Sequence, residues 1–247
     1  MRSRACRVEA RVPESSRGIA LVAVLVMAVL VGSIALGLSL VVATDLVALH
    51  NERDSTTLRY AAEGALEVAA RELSRASSWD DVLSGAERSA LADGPPMGTR
   101  AIGTWRVDLD AQTNLLNCGR RAACTAAQMA AVTPLRPWGA DNPHWRPFLY
   151  GPLASLAPFS QAPPVYLVVW LADDARETDG NPARDATAPE APGRGVLRAR
   201  ADAFGERGSR RSVEAELVRV CRIHGGVETC LPGIRVQSWR DVRQAVP

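Results

Sequence analysis

The feature that most limits what this chain can fold into is a charge-free run near its start. From Ile19 to Ala43 no residue is charged, and the next charge is Asp45. As a helix rising about 1.5 Å per residue, that run is roughly 37 Å long, against about 30 Å for a bilayer core. With some tilt it spans a membrane. A secretory signal has an apolar region of about 7–15 residues followed by a small-residue cleavage site. Here the run is longer, and the small residue, Gly18, precedes it.

Charge gives the run a direction. Residues 1–18 hold Arg2, Arg4, Arg7, Arg11 and Arg17 against Glu9 and Glu14, so 5 − 2 = +3. The whole chain carries +2, which leaves 2 − 3 = −1 for the remainder. Positive flanks stay cytoplasmic, so the chain after Ala43 is expected in the periplasm. The expected localisation is a single pass of the inner membrane, and an ordinary membrane anchor is the plain alternative. A near-neutral body offers no basic face for phosphates, so no nucleic-acid partner is expected.

The 247 residues, 47% of them hydrophobic, have the composition of a folded chain. Cys6 lies in the leader. Cys118, Cys124, Cys221 and Cys230 fall in the exported part, where disulfides persist. Of the three pairings open to four cysteines, Cys118–Cys124 and Cys221–Cys230 are favoured because each closes a short loop. No C-x-x-C spacing invites zinc.

After Ala43 the helix is expected to continue. Asn51 to Thr57 is polar throughout, which suits a passage through lipid headgroups. Then Leu58, Ala61, Ala62, Ala65, Leu66, Ala69 and Leu73 recur at helical spacing. Such a stripe needs a partner surface, which a sheet would supply. Residues 77–100 read as a link with a short helix between Asp80 and Ala92. Ile102 to Leu109 reads as a strand. Residues 117–163 read as a long Pro- and Trp-rich loop with a helix at Thr125 to Ala131. Strands are expected at Val165 to Leu171 (central), Leu197 to Phe204, Ser212 to Ile223 and Gly233 to Trp239, with a hairpin turn at Gly205 to Gly208. The fold class is therefore α+β, a long N-terminal helix on a mostly antiparallel sheet with a loop-rich insertion. The parts are a leader (1–18), the helix (19–76, membrane-spanning over 19–43) and a globular domain (77–247).

Chemistry is sparse. His50, His144 and His224 have no metal-ligand partner at helical spacing, and no nucleophile elbow, Walker loop or H-E-x-x-H occurs. An enzyme is not expected. Asp173, Asp174, Glu177, Asp179, Asn181 and Asp185 form an acidic loop with the ligand types calcium prefers. Their spacing is not that of an EF-hand, and Arg176 and Arg184 offer neutralisation instead. No other cofactor is expected. Trp138 and Trp145 in the Pro-rich loop are candidates for holding a ligand or partner. Ala28/Gly32 and Ser33/Gly37 are small-residue pairs of the kind that let helices approach closely in lipid.

Arg17-Gly18-Ile19-Ala20-Leu21 resembles a class III prepilin signal, and Tyr60-Ala61-Ala62-Glu63-Gly64-Ala65-Leu66-Glu67 resembles the helix of PilX-type minor pilins of type IV pili. The resemblance covers about residues 16–75; the rest is similar in outline only. It implies cleavage by a prepilin peptidase between Gly18 and Ile19 and methylation of the new amine. It further implies packing of the helix against other pilins in a fibre, after residence in the inner membrane. Major pilins carry Glu at the fifth position after the cut; here that residue is Ala23, and the helix also lacks the family's kink proline. The missing Glu fits a minor subunit, with the filament tip as a candidate position. A minor pseudopilin of type II secretion and a membrane-anchored periplasmic binding module are the alternatives.

Overall fold

A computed structural model describes residues 16–156, 162–185, 191–219, 221–224, 227–231 and 233–242. The leader through residue 15, with Cys6 and its first four Arg, lies outside the described residues. The chain divides into two compact units, Met1–Glu52 and Arg53–Pro247.

Helix α1 runs Ser16–Leu73. Within the first unit its apolar side chains are exposed, among them Leu25 at 58% and Leu36 at 75%. The hydroxyls along this stretch are satisfied by the helix itself. Ser33 Oγ donates to Val29 O, Ser39 Oγ to Ala35 O and Thr44 Oγ1 to Val41 O, each at 2.8 Å. No side chain between Ile19 and Thr44 is then left needing water, which is what a lipid environment demands.

In the second unit the elements follow as α2 (Trp79–Ser84), β1 (Thr99–Ile102), β2 (Trp105–Asp108), α3 (Leu109–Cys118), α4 (Ala126–Met129), β3 (Arg146–Pro152), α5 (Leu153–Leu156), β4 (Tyr166–Asp173), β5 (Val196–Phe204), β6 (Arg210–Val218), β7 (Cys221–His224), β8 (Val227–Cys230) and β9 (Arg235–Asp241). Five strands form one sheet in the order β3-β4-β5-β6-β9, every neighbour antiparallel. The pairs β1–β2 and β7–β8 are separate hairpins.

Alternation along the strands makes two cores. Leu167, Val169 and Leu171 of β4, Leu197, Ala199, Ala201 and Ala203 of β5, and Val213, Ala215 and Leu217 of β6 share one cluster with the helical stripe. All seven expected stripe residues, Leu58 through Leu73, are buried. Alanines on both surfaces keep helix and sheet close. The opposite face of β4, Tyr166, Val168, Trp170 and Ala172, packs with Ile102, Val107, Leu109, Trp145 and Tyr150. Both faces of β4 are thus covered, which explains its unbroken apolar run.

The α+β arrangement of a long apolar helix and an antiparallel sheet is as expected; several elements differ. The stretch read as loop, 117–163, contains β3. Its apolar Phe148-Leu149-Tyr150 is bracketed by Pro147 and Pro152, which masked it; a strand with one side unpaired tolerates both, and the register shifts between Pro147 and Leu149. The single strand expected over Ile102 to Leu109 is a hairpin whose turn sits at Gly103-Thr104. Leu109 instead begins α3. That helix is short and polar, but Asp108 Oδ1 accepts from Ala111 N at 3.0 Å and Gly119 ends it at φ +73°. The strand expected from Ser212 to Ile223 breaks after Val218, where Arg219 N donates to Gly195 O at 2.8 Å. Gly195 has φ +72°, and a Cβ there would lie 2.9 Å from Arg219 O, so only glycine allows this junction.

Candidate functional site

The residues of the expected cleavage site, Gly18 and Ile19, lie in the first turns of α1. Ile19 is 71% exposed, and nothing stands within 4 Å of a Cβ built on Gly18. Ala23 follows in the same exposed stretch. Among the described residues α1 is the one helix long and apolar enough to cross a membrane.

Both expected disulfides are present. Cys118–Cys124 links the last residue of α3 to the segment before α4, with Cα atoms 6.0 Å apart. Cys221–Cys230 joins directly opposed residues of the β7–β8 hairpin.

The acidic loop is tied together by hydrogen bonds to backbone N–H groups and by an ion pair. Asp173 Oδ1 accepts from Asp174 N at 2.9 Å, and Asp174 Oδ2 holds Arg176 Nη2 at 2.6 Å. Asp179 Oδ1 accepts from Asn181 N at 2.8 Å, and Asp185 Oδ1 from Gly195 N at 2.7 Å. Glu177 is buried and in contact with Asp185. Burial raises the Asp173 carboxyl to about 8, an effect opposed by the Asp174 N–H and reinforced by the charges of Asp185, Asp179 and Asp174. Burial likewise raises Asp185. Among the described residues no three His, Cys, Asp or Glu side chains converge to hold a metal ion. Asp173, Asp174, Asp179 and Asp185 thus bind backbone N–H groups or Arg176.

Among the described side chains His50 and His144 join no reactive constellation; the side chain of His224 lies outside them. His144 is half-buried, and its pKa is lowered by burial and by Arg136 and Arg146. His50 lies on the exposed part of α1.

At the Trp-rich loop polar and aromatic groups converge on the sheet. Trp138 and Trp145 face Arg198 of β5, whose guanidinium carbon lies 5.8 Å and 5.4 Å from their ring centroids. Beside it Glu214 of β6 accepts from Arg200 Nη1 at 2.9 Å, takes Arg240 of β9 on its other oxygen, and has Arg198 Nη2 at 3.7 Å. Asp202, fully buried, holds Arg200 and Arg210. Burial lowers the pKa values of Arg198 and Arg210. The two Trp residues were readable as candidates; Arg198, Glu214 and Arg240 were not, because alternate charges along β5 and β6 look the same as a solvent-facing row.

Compared with protein families, curated proteins and solved structures, the chain matches none.

Proposed function

We propose that the chain is a minor pilin subunit of a type IV pilus, contributing to filament assembly or priming. The observation that carries this reading is the position of Gly18. It stands between a +3 leader and a charge-free helix, so cutting after it releases a subunit that keeps its apolar helix. The helix has the surface such a subunit needs. It is apolar all round, and its hydroxyls are bonded internally, so lipid and a bundle of like helices are similar environments for it. Ala23 in place of Glu favours a position without a repeated neighbour above it, hence a terminal one. A minor pseudopilin of type II secretion would use the same features.

Intact mass of the membrane-extracted protein, from cells with an active prepilin peptidase, tests the reading. The expected mass is that of a chain beginning at Ile19 with one added methyl group; a chain retaining residues 1–18 overturns it. The Trp138–Arg198–Trp145 arrangement favours a second reading, a membrane-anchored periplasmic binding module. Cross-links from α1 to other pilins are expected under the first reading and not under the second.

A further inference from the structure

On the sheet face opposite α1, the second core reaches β5 only at Phe204. Beyond it lies an open groove of about 660 Å³. Leu135, Trp138 and Trp145 line it from the loop, and Arg198, Glu214 and Glu216 from β5 and β6. Asp174 and Arg176, after β4, and Ser238 and Arg240, on β9, complete the polar lining. The volume is that of sites for small organic ligands, about 300–1,000 Å³.

The lining excludes most ligand classes. Its charges balance, Arg176, Arg198 and Arg240 against Asp174, Glu214 and Glu216, so 3 − 3 = 0. An anion would have to compete with Glu214 for Arg198 and Arg240 and with Asp174 for Arg176, and a cation with these same guanidinium groups for Asp174, Glu214 and the neighbouring Glu216. An apolar ligand would strip water from those charges without replacing its hydrogen bonds, which disfavours it. What remains is an uncharged ligand whose groups donate to carboxylates and accept from guanidinium groups at adjacent positions. Vicinal hydroxyls do both. The groove also offers an indole, Trp138, which is 41% exposed and held by Arg198. An indole accommodates the flat C–H face of a sugar ring.

We propose that this groove binds a neutral oligosaccharide, one pyranose lying against Trp138 with its hydroxyls bonded to Arg240 and Glu216. This does not depend on the pilin reading: a groove of this chemistry on an exported domain meets glycans whether or not the helix enters a filament.

The test uses the full chain in nanodiscs, since detergents with sugar headgroups would compete. Cellohexaose, maltohexaose and N-acetylchitohexaose are titrated by calorimetry and Trp fluorescence, with oligogalacturonate as the anionic comparison. Saturable binding of at least one neutral hexamer is expected. It should weaken about tenfold or more, the equivalent of about 1.4 kcal/mol, in Trp138→Ala and in Arg240→Met. It should be unchanged in Trp105→Ala, whose ring lies against Gly208 outside the groove. Arg240 has a side chain 66% exposed, so its variant keeps the test valid should Trp138→Ala fail to fold. No binding by any neutral hexamer, binding of oligogalacturonate alone, or binding that survives both groove substitutions overturns the proposal.

Discussion

Asp173 shows how one residue contributes to the pH response of the domain, alongside Asp185, whose carboxyl pKa is also raised by burial. Asp173 closes β4 at 4% exposure, and its carboxyl keeps a proton until about pH 8 against an ordinary value of 3.8. The unfolded chain releases that proton near pH 4. Between those values the unfolded state binds fewer protons than the native one, so stability falls as pH rises, by about 1.4 kcal/mol for each pH unit fully inside the window. The unfolding midpoint is therefore expected to drop between pH 5 and pH 8. Asp173→Asn still offers an oxygen to Asp174 N but has no proton to lose. It should flatten that slope, raise the midpoint at pH 8 and leave it near the parent value at pH 4. Melting curves over this range check the sign; a slope identical in parent and variant would place the titration elsewhere. Nothing in the sequence singled out Asp173 from its acidic neighbours. Its shift comes from burial on both faces of β4, a property of the fold and not of the motif.

At the scale of elements, the sequence was most readable where periodicity is long. The stripe from Leu58 to Leu73 and the β4, β5 and β6 strands repeat a pattern often enough to exceed local noise, and their partners confirm it. Both disulfides were readable because short loops limit the choices. The β3 strand was hidden by Pro147 and Pro152, α3 by its polar composition, and the β1–β2 hairpin by a turn of two residues. What caps the end of α1 was hidden too, since it is distant in sequence. Arg219 Nη2 donates to Leu73 O at 3.3 Å and to Ala76 O at 2.9 Å, and its guanidinium lies 4.5 Å from the Trp79 ring centroid. A cation at a helix C-terminus meets both the orphan carbonyls and the negative end of the helix dipole. Arg219→Ala is expected to cost about 2 kcal/mol, and Arg219→Lys less, because a charge remains while the planar contact with Trp79 is lost. Chemical denaturation of the two variants and the parent measures the order. Equal loss in both would assign the effect to the planar guanidinium alone.

Across the whole molecule, the two compact units answer to different solvents. The second buries its apolar surface in two cores of its own. The first leaves Ile19 through Leu49 exposed, a surface that water penalises in proportion to its area and lipid does not. A substitution that alters only the solvent preference of the first unit should therefore act on membrane association without acting on the fold of the second. Leu36→Arg is such a change. Leu36 is 75% exposed and lies seven residues inside the end of the charge-free run. An arginine there costs up to the mid-span figure of about 2.5–3.5 kcal/mol of insertion free energy, or up to roughly a hundredfold in the inserted fraction. After carbonate washing, the variant is expected largely in the soluble fraction and the parent in the membrane pellet. Tryptophan-detected melting should be the same for both, because all six Trp residues lie in the second unit, beginning at Trp79. Release from the membrane with an unchanged melt assigns α1 its two roles: lipid contact before Glu52 and core packing after Ser55. A melt that moved with the membrane fraction would tie the two units into one folding reaction, and the helix would then act as a single structural element along its length.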